Sequence, residues 1–533
     1  MVRRGIPCTW TRCIEGLPNS SERGTCTMSV DDMNFGRFHY DPAQRLLFCD
    51  GDPVSLGRRS VLLLDSLLRR RGEVLRKDEL IEAAWPGTAV EESNLSVQIA
   101  HIRKRIGGTW IRTVERVGYV FAVDGASQSP PTRALASSPA GVAVLAFTDF
   151  SGHVFLPLGN ALADAVISAL ARFRSVSVAA RSSSFQFDCL ATDARDIARR
   201  LQVRYVVQGS IRRSAGRLRL SLQLIDGVSG THLWADSLEM EAAEPLPDTD
   251  ELVGRAAAMI EGQVHLAEIG RAEREQPTTL QGYDFYLQGR KHVLSSREND
   301  NAAGYTLFSE GLKLMPNSVP LLAAIAEVIH HRKAVGWRPF EGVDERATLE
   351  LIQRGLDRPD LDAASLALFA SALHTAGEED LGANAAERAV AMNPNSPLVL
   401  VCAGLQRLWA GNVNGAESAF RRAVDLSHGD PTQRFALQGM AKVYSVRGNN
   451  EETLIYARRT LALSPGLSAG HWHLIASSTL LGRLADARRH YARYQRIAPG
   501  VTIESVRRGQ IYRNPAHIAP LLEGLRLAGM PAR

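Results

Sequence analysis

The chain has 533 residues, room for roughly three to five domains of ordinary size, and its 45% hydrophobic and 22% charged residues are those of a globular protein. A formal net charge of +5 is small for this length, so any contact with a polyanion has to be concentrated locally. Six cysteines exclude a disulfide framework, and no stretch approaches the roughly 18 consecutive apolar residues of a membrane helix. A cytoplasmic location with no membrane partner is expected.

Residues 1–33 carry Cys8, Cys13 and Cys26 among Arg, Gly and Ser with little periodicity. A C-x4-C spacing without a second pair is not a zinc spacing, and there is no apolar segment of a secretory signal. A disordered arm or an over-predicted N-terminus is expected, because Met28 and Met33 lie just before the first β-type run. Cys49, Cys189 and Cys402 sit in apolar contexts, as small buried hydrophobes do.

From Asn34, short β-type runs broken by Asp41-Pro42 and Asp50-Gly51 give way to a Leu-rich helix and then to a second helix, Lys77 to Ala84, stopped by Pro86 and Gly87. In the third helix, Glu92 to Ile106, residues Leu95, Ile99, Ile102 and Ile106 form one apolar stripe. Ser93, Val97, Ala100, His101 and Lys104 lie opposite, with Gln98 and Arg105 on one shoulder and Arg103 on the other. Two β-type runs follow, Trp110 to Val114 and Tyr119 to Val123, reading as a hairpin with its turn near Gly118. Between Ser93 and Arg116 five basic residues (Arg103, Lys104, Arg105, Arg112, Arg116) face one acid, Glu115. A helix and a basic hairpin together make a reader of a DNA groove, with phosphate neutralisation concentrated there.

The ordered motifs RRRGEVLRKDELIEAAWP, SNLSVQIAHIRKRI and IRTVERVGYVF closely resemble the winged helix-turn-helix domain of OmpR/PhoB-type transcriptional regulators, over residues 34–124. The resemblance implies an α+β fold whose third helix enters the major groove of double-stranded DNA, and it puts Gln98, His101, Arg103, Thr113 and Tyr119 at DNA-contacting positions. With the exposed Val97 and the basic Lys104, Arg105, Arg112 and Arg116 these form the expected DNA-binding set. The family often has basic residues where Ser93 and Ala100 stand, and a wing Arg where this chain has Glu115, so no relative's target sequence carries over.

Residues 125–140, GASQSPPTRALASSPA, read as a flexible linker. Residues 141–240 read as a small α/β domain. Strands are expected at Val142 to Phe147, Val176 to Ala180, Tyr205 to Arg212, Leu218 to Asp226 and His232 to Glu239, with helices at Leu158 to Arg172 and Asp193 to Leu201. Asp164, Asp193 and Asp196 are conceivable metal ligands, but Asp193 is more simply an N-cap. The run RYVVQGSIRRSAGRLRLSLQLIDGVSGTHLWADSLE resembles the TolB amino-terminal-like domain, which implies an accessory module.

Residues 241–276 read as a connecting helix, and 277–533 as helical and repetitive. Gly377, Gly411, Gly448 and Gly482 are spaced 34, 37 and 34 apart, and Pro394, His428, Pro465 and Pro499 follow each by 17. Ala416, Phe420 and Ala423 fit one helix, with Gly404 at its crossing with the helix before. This pattern resembles tetratricopeptide repeats (TPR), an all-α solenoid of helix pairs, with four good units from Leu361 to Pro499 and two degenerate ones before them.

No G-x-S-x-G elbow or H-E-x-x-H motif occurs. His330-His331 and His471-Trp472-His473 lack the i, i+4 spacing of a helical metal site, so they are expected on a surface or groove. The expectation is a multidomain, non-enzymatic transcriptional regulator with no cofactor and no metal. It reads double-stranded DNA through the winged helix and takes a protein partner, or itself, through the TPR region, with RNA polymerase a further expected partner. The layout resembles regulators of the CadC and HilA kind. The alternatives are an interaction scaffold with a degenerate winged helix and, from the company the α/β domain keeps, a partner of a nucleotide cyclase or a ligand-sensing enzyme subunit.

Overall fold

The structure is a computed structural model. It describes residues 34–533 apart from 36, 43, 55, 88–89, 91, 108–109, 115–117, 122–139, 151–157, 188–191, 242–248 and 276–281, and apart from the side chains of Asn34, Ser93, Arg112, Val114 and Glu275. The expected arm, most of the expected linker and Cys189 therefore lie outside the described residues. The chain divides into two compact units, Met1–Pro131 and Thr132–Arg533.

The first unit opens with an antiparallel four-stranded sheet, β1 (Asn34–Phe35), β2 (Phe38–Asp41), β3 (Leu46–Cys49) and β4 (Asp52–Val54), in that spatial order. Three helices follow, α1 (Arg58–Arg69), α2 (Lys77–Ala84) and α3 (Glu92–Ile106), with β5 (Val74–Arg76) between the first two. The unit ends in the hairpin β6 (Ile111–Val114) and β7 (Gly118–Phe121), which joins β5 in the order β5-β7-β6. Apolar stripes close the core: Leu63, Leu64, Leu67 and Leu68 of α1 and Leu95, Ile99 and Ile102 of α3 are each at most 1% exposed. Phe35 of the first sheet meets Trp110, just before β6, and Phe121 of β7 edge-on at 5.0 and 5.1 Å, so aromatic packing ties the two sheets together.

Gly118 opens β7, opposite Val114 on one side and Arg76 on the other, so the hairpin reverses next to it, as expected. A Cβ at this position would stand 1.9 Å from the Leu75 carbonyl oxygen, so the glycine is there for close approach of β5.

The second unit begins with β8 (Ala140–Val144), β9 (Thr148–Asp149), α4 (Leu158–Leu170), β10 (Val176–Val178), a short α5 (Arg181–Ser184), α6 (Ala194–Leu201) and three ten-residue strands, β11 (Tyr205–Ser214), β12 (Arg217–Asp226) and β13 (His232–Glu241). The sheet runs β10-β8-β11-β12-β13, parallel up to β11 and antiparallel beyond it. Alternation decides the faces: Leu218, Leu220, Leu222 and Leu224 bury on the side of α4, while Val206 and Ile225 bury with Ile197 and Ala198 of α6. Asp193 is the N-cap of α6, accepting the Arg195 backbone N–H at 2.8 Å.

Helix α7 (Asp250–Glu275) is apolar on more than one side because it lies between two layers. It packs on α4, β12 and β13, and it also contacts α8 (Gly282–Val293) and, further along, the repeats. The Glu268 carboxylate accepts from the Tyr205 hydroxyl of β11 at 2.7 Å and pairs with Arg271 at 2.8 Å, so its buried charge is satisfied.

After α8 come α9 (Glu298–Leu314), α10 (Val319–Val335), α11 (Glu345–Leu356), α12 (Ala363–Thr375), α13 (Glu379–Met392), α14 (Pro397–Trp409), α15 (Val413–Leu426), α16 (Gln433–Val446), α17 (Asn450–Leu463), α18 (Ser468–Leu480) and α19 (Leu484–Ile497). The repeating glycines Gly377, Gly411, Gly448 and Gly482 have φ of +94°, +93°, +73° and +76°, the left-handed turn joining the two helices of each pair. A Cβ on Gly404 would lie 2.7 Å from the Phe420 ring, and one on Gly289 of the first pair 2.3 Å from that of Phe308. The longer 37-residue interval reflects a longer loop between α15 and α16 and a longer α16. That loop docks on α7, where the Gln263 amide donates to the Gly429 carbonyl at 3.3 Å and Asp430 sits over Gly262.

The last helices, α20 (Ile503–Gly509) and α21 (Ala519–Leu527), turn back across the first helices of the pairs. Gln510 Nε2 donates to the Ala334 carbonyl of α10 at 3.0 Å, and His374 of α12 bonds the Ile511 carbonyl at 2.9 Å. The Arg513 backbone N–H donates to the Trp409 carbonyl of α14 at 2.9 Å. One short segment reaching α10, α12 and α14 requires those helices to converge, so it crosses the concave side of the solenoid. Among the described residues, no helix is long and apolar enough to cross a membrane.

Candidate nucleic-acid interface

The apolar stripe of α3 turns its other side outward. Asn94, Val97, His101 and Lys104, spaced three, four and three apart, are all exposed, as are Ala100 and Arg105. Val97 is 50% exposed, a bare apolar group among polar ones on a helix that has no lack of core to fill. Such a face offers a methyl contact, an imidazole and an ammonium along one groove-width of helix.

Gln98 is half-buried and its side-chain oxygen accepts from Ser60 Oγ of α1 at 2.8 Å, which fixes the amide's direction. Lys77 at the start of α2 pairs with Glu92 at the start of α3. These contacts hold the third helix against the first two.

Arg103 is not a free cation. Its Nε and Nη2 donate to the Ile111 carbonyl at 3.1 and 2.9 Å, and Nη2 also donates to Thr113 Oγ1 at 2.8 Å. Its guanidinium carbon lies 5.7 Å from the centroid of the Tyr119 ring. The structure thus brings Arg103, Thr113 and Tyr119 together as a clasp between α3 and the wing. Tyr119 is 6% exposed, and its hydroxyl is 3.5 Å from Ser96 Oγ. Thr113 remains exposed at the edge of β6, and Lys104 and Arg105 remain exposed on α3. The side chain of Arg112 and the whole of Arg116 lie outside the described residues.

Ser60 and Ser96 were missed as partners of the site. The signal for Ser60 was a hydroxyl set within the Leu-rich face of α1, where a buried donor needs an acceptor. Ser96 gave none, since serine on an exposed helix face is ordinary.

The profile of the family described as "Transcriptional regulatory protein, C terminal" matches residues 51–121. The response regulator protein PmrA of Pseudomonas aeruginosa is 32% identical over 99 residues, 18% of this chain and 44% of that protein. Putative adenylate cyclase 3 of Rhizobium meliloti is 27% identical over 202 residues, 38% of this chain and 34% of the cyclase. The chain therefore spans less than half the length of either curated relative. Among solved structures, the C-terminal DNA-binding domain of RstA from Klebsiella pneumoniae is 25% identical, with 94% of it and 19% of this chain covered, at a TM-score of 0.16. Residues 51–121 are a DNA-binding winged helix of the OmpR/PhoB-type transcriptional-regulator family, followed in this chain by a small sheet region and a long helical region of tetratricopeptide type.

Proposed function

We propose that this protein is a sequence-specific, non-enzymatic transcriptional regulator that inserts α3 into the major groove of double-stranded DNA. The observation that carries the reading is the exposed strip Val97, His101, Lys104 beside a wing clasped to the helix by Arg103. In this reading Val97, Gln98 and His101 meet base edges, and Lys104, Arg105, Arg112 and Arg116 meet phosphates. Arg103, Thr113 and Tyr119 set the wing's angle.

The α/β domain, a TolB amino-terminal-like accessory module in this reading, and the helical region give the reader its regulation. The helical region takes a protein partner or a second copy of the chain, since two copies on adjacent half-sites would supply the avidity one small reader lacks. RNA polymerase is a further partner in this reading. Exposed Ile455, Leu463, Leu484 and Ile497 on α17 and α19 support such a contact. The likeness to a cyclase covers 34% of that protein, and the regulator reading is supported by the family match at residues 51–121.

The test compares variants of the full chain on a selected duplex across salt concentrations. Lys104→Ala is expected to flatten the slope of log affinity against log salt by about 0.9, one phosphate contact. His101→Ala is expected to change which sequences are preferred, with the slope kept. Arg103→Ala is expected to weaken all sequences through a loosened wing, also with the slope kept. An unchanged slope in Lys104→Ala together with unchanged preference in His101→Ala would remove α3 as the reader.

A further inference from the structure

Inside the helical region, α10, α12, α14, α16 and α18, with the α8–α9 corner, line a partly open cavity of about 140 Å³ that has Gln510 of the C-terminal segment in its wall. Of the histidines expected on a surface or groove, two lie in this pocket and a third is buried. His330 and His331 line the cavity, and His473 on α18 is only 3% exposed, because the first helix of each pair is covered on both sides by its neighbours. Most of the lining is apolar, including Val328, Leu368, Val401, Leu405 and Phe435. An apolar cavity near 150 Å³ accommodates a ligand of about one aromatic ring.

Polar side chains break that lining, and Ser296 Oγ, His331 Nε2, Trp409 Nε1 and both amide atoms of Gln438 are buried there without a hydrogen-bond partner. Gln438 and Lys442 lie one turn apart on α16 and are 5% and 6% exposed; Trp409 of α14 is 2% exposed. The Lys442 ammonium donates to the neutral side-chain oxygen of Gln510. Glu327, which also lines the cavity, is paired with Arg290. Burial, with no carboxylate to offset it, pushes the Lys442 pKa down to about 8. A buried ammonium without an anion is costly, and Lys and Trp offer donors with no acceptor of their own. The missing complement is a compact anion with an apolar body.

We propose that this chamber is a binding site for a small apolar carboxylate, its body against Leu405 and Phe435 and its carboxylate on Lys442 and Gln438. The site is separate from the DNA-reading face and does not depend on that reading. It makes the helical region a receptor for a metabolite-sized acid, with the C-terminal segment as one wall.

Benzoate, benzamide and benzylamine share one shape and differ in charge, so they are the probes, titrated calorimetrically and by thermal shift into the full chain at pH 7. Benzoate is expected to bind saturably and raise Tm, benzamide to bind about tenfold more weakly or less, and benzylamine not to bind. Lys442→Met is expected to lose benzoate binding by at least about tenfold while its own Tm holds or rises, since a buried unpaired cation has gone. Gln438→Glu places an internal carboxylate one turn from Lys442; it is expected to raise Tm and abolish the benzoate response, and it decides the matter if Lys442→Met does not fold. The proposal is overturned if no probe binds, which leaves a cavity for water, if benzamide or benzylamine matches benzoate, or if a folded variant binds benzoate like the parent.

Discussion

The winged helix and the helical region use basic side chains in opposite ways. On α3, Lys104 and Arg105 stand in solvent, and the helix that carries them buries only aliphatic groups. In the repeats Arg332, Arg434 and Lys442 are at most 9% exposed. Exposed charge on a rigid helix suits a polyanion that arrives from outside and is screened by salt. Buried charge has to be answered within the protein, as Arg332 is by Glu298 and Asn301, or by something that enters. The contrast extends to folding. The winged helix closes its own core, whereas the core of the α/β sheet runs through α7 into α14, α15 and α16.

Ending the chain at Gln276 would expose that contrast most strongly. It strips α7 of α8 and α15 and uncovers Ala257, Ile260 and Val264, side chains now at most 1% exposed. With each large side chain worth about 1.5–3 kcal/mol of burial, residues 140–275 are expected to lose cooperative unfolding. The winged helix in the same fragment is expected to melt as before and still to shift DNA. Hydrogen exchange read segment by segment checks this, and a protected sheet in the fragment would break the comparison.

Gly118→Ala works on the other side. Its Cβ would press on the Leu75 carbonyl, so β5 must shift, at a cost of about 1–3 kcal/mol. The melting of the winged helix is expected to fall by roughly 4–8 °C for each kcal/mol in a domain of this size, with the helical region untouched. DNA affinity should drop with the salt slope kept, because the wing moves and no phosphate contact is removed.

Much of this was legible in the residues. The limits of α2 and α3 follow from their stripes and stops, and the repeat glycines sit where a left-handed turn recurs. The crowding of Gly118 by β5 was illegible because a glycine before an aromatic run looks the same whether or not a strand lies close behind it. The clasp of Arg103 was illegible because a basic residue at a helix shoulder does not announce a carbonyl eight positions on. The place of the C-terminal segment was illegible because Arg507, Arg508, Gln510 and Arg513 follow the last repeat without its spacing, and only the curvature of the solenoid gives the segment a place. His473 was misjudged for a related reason: a helix covered on both sides has no solvent face, whatever its polarity.

The smallest expected effect lies at Glu261, where α7 meets the sheet region and the repeat loop. Its carboxylate accepts from Ser175 Oγ at 2.6 Å, and burial pushes its pKa from 4.5 up to about 7, with Asp430 adding to the rise and Arg290 opposing it. The folded chain therefore holds a proton between about pH 4.5 and 7 that the unfolded chain releases. Stability from this group is complete below the lower value and is lost as pH rises through the upper one. Glu261→Gln keeps an acceptor for Ser175 and carries no charge at any pH. The side chain is only half-buried, which reduces the effect, so the variant is expected to be about 1–2 kcal/mol more stable than the parent at pH 8 and equal to it at pH 4.5. Thermal unfolding of the second unit at both pH values measures this. A stabilisation of equal size at the two pH values would mean that the amide fits the contact better, and that α7 holds no charge against its will.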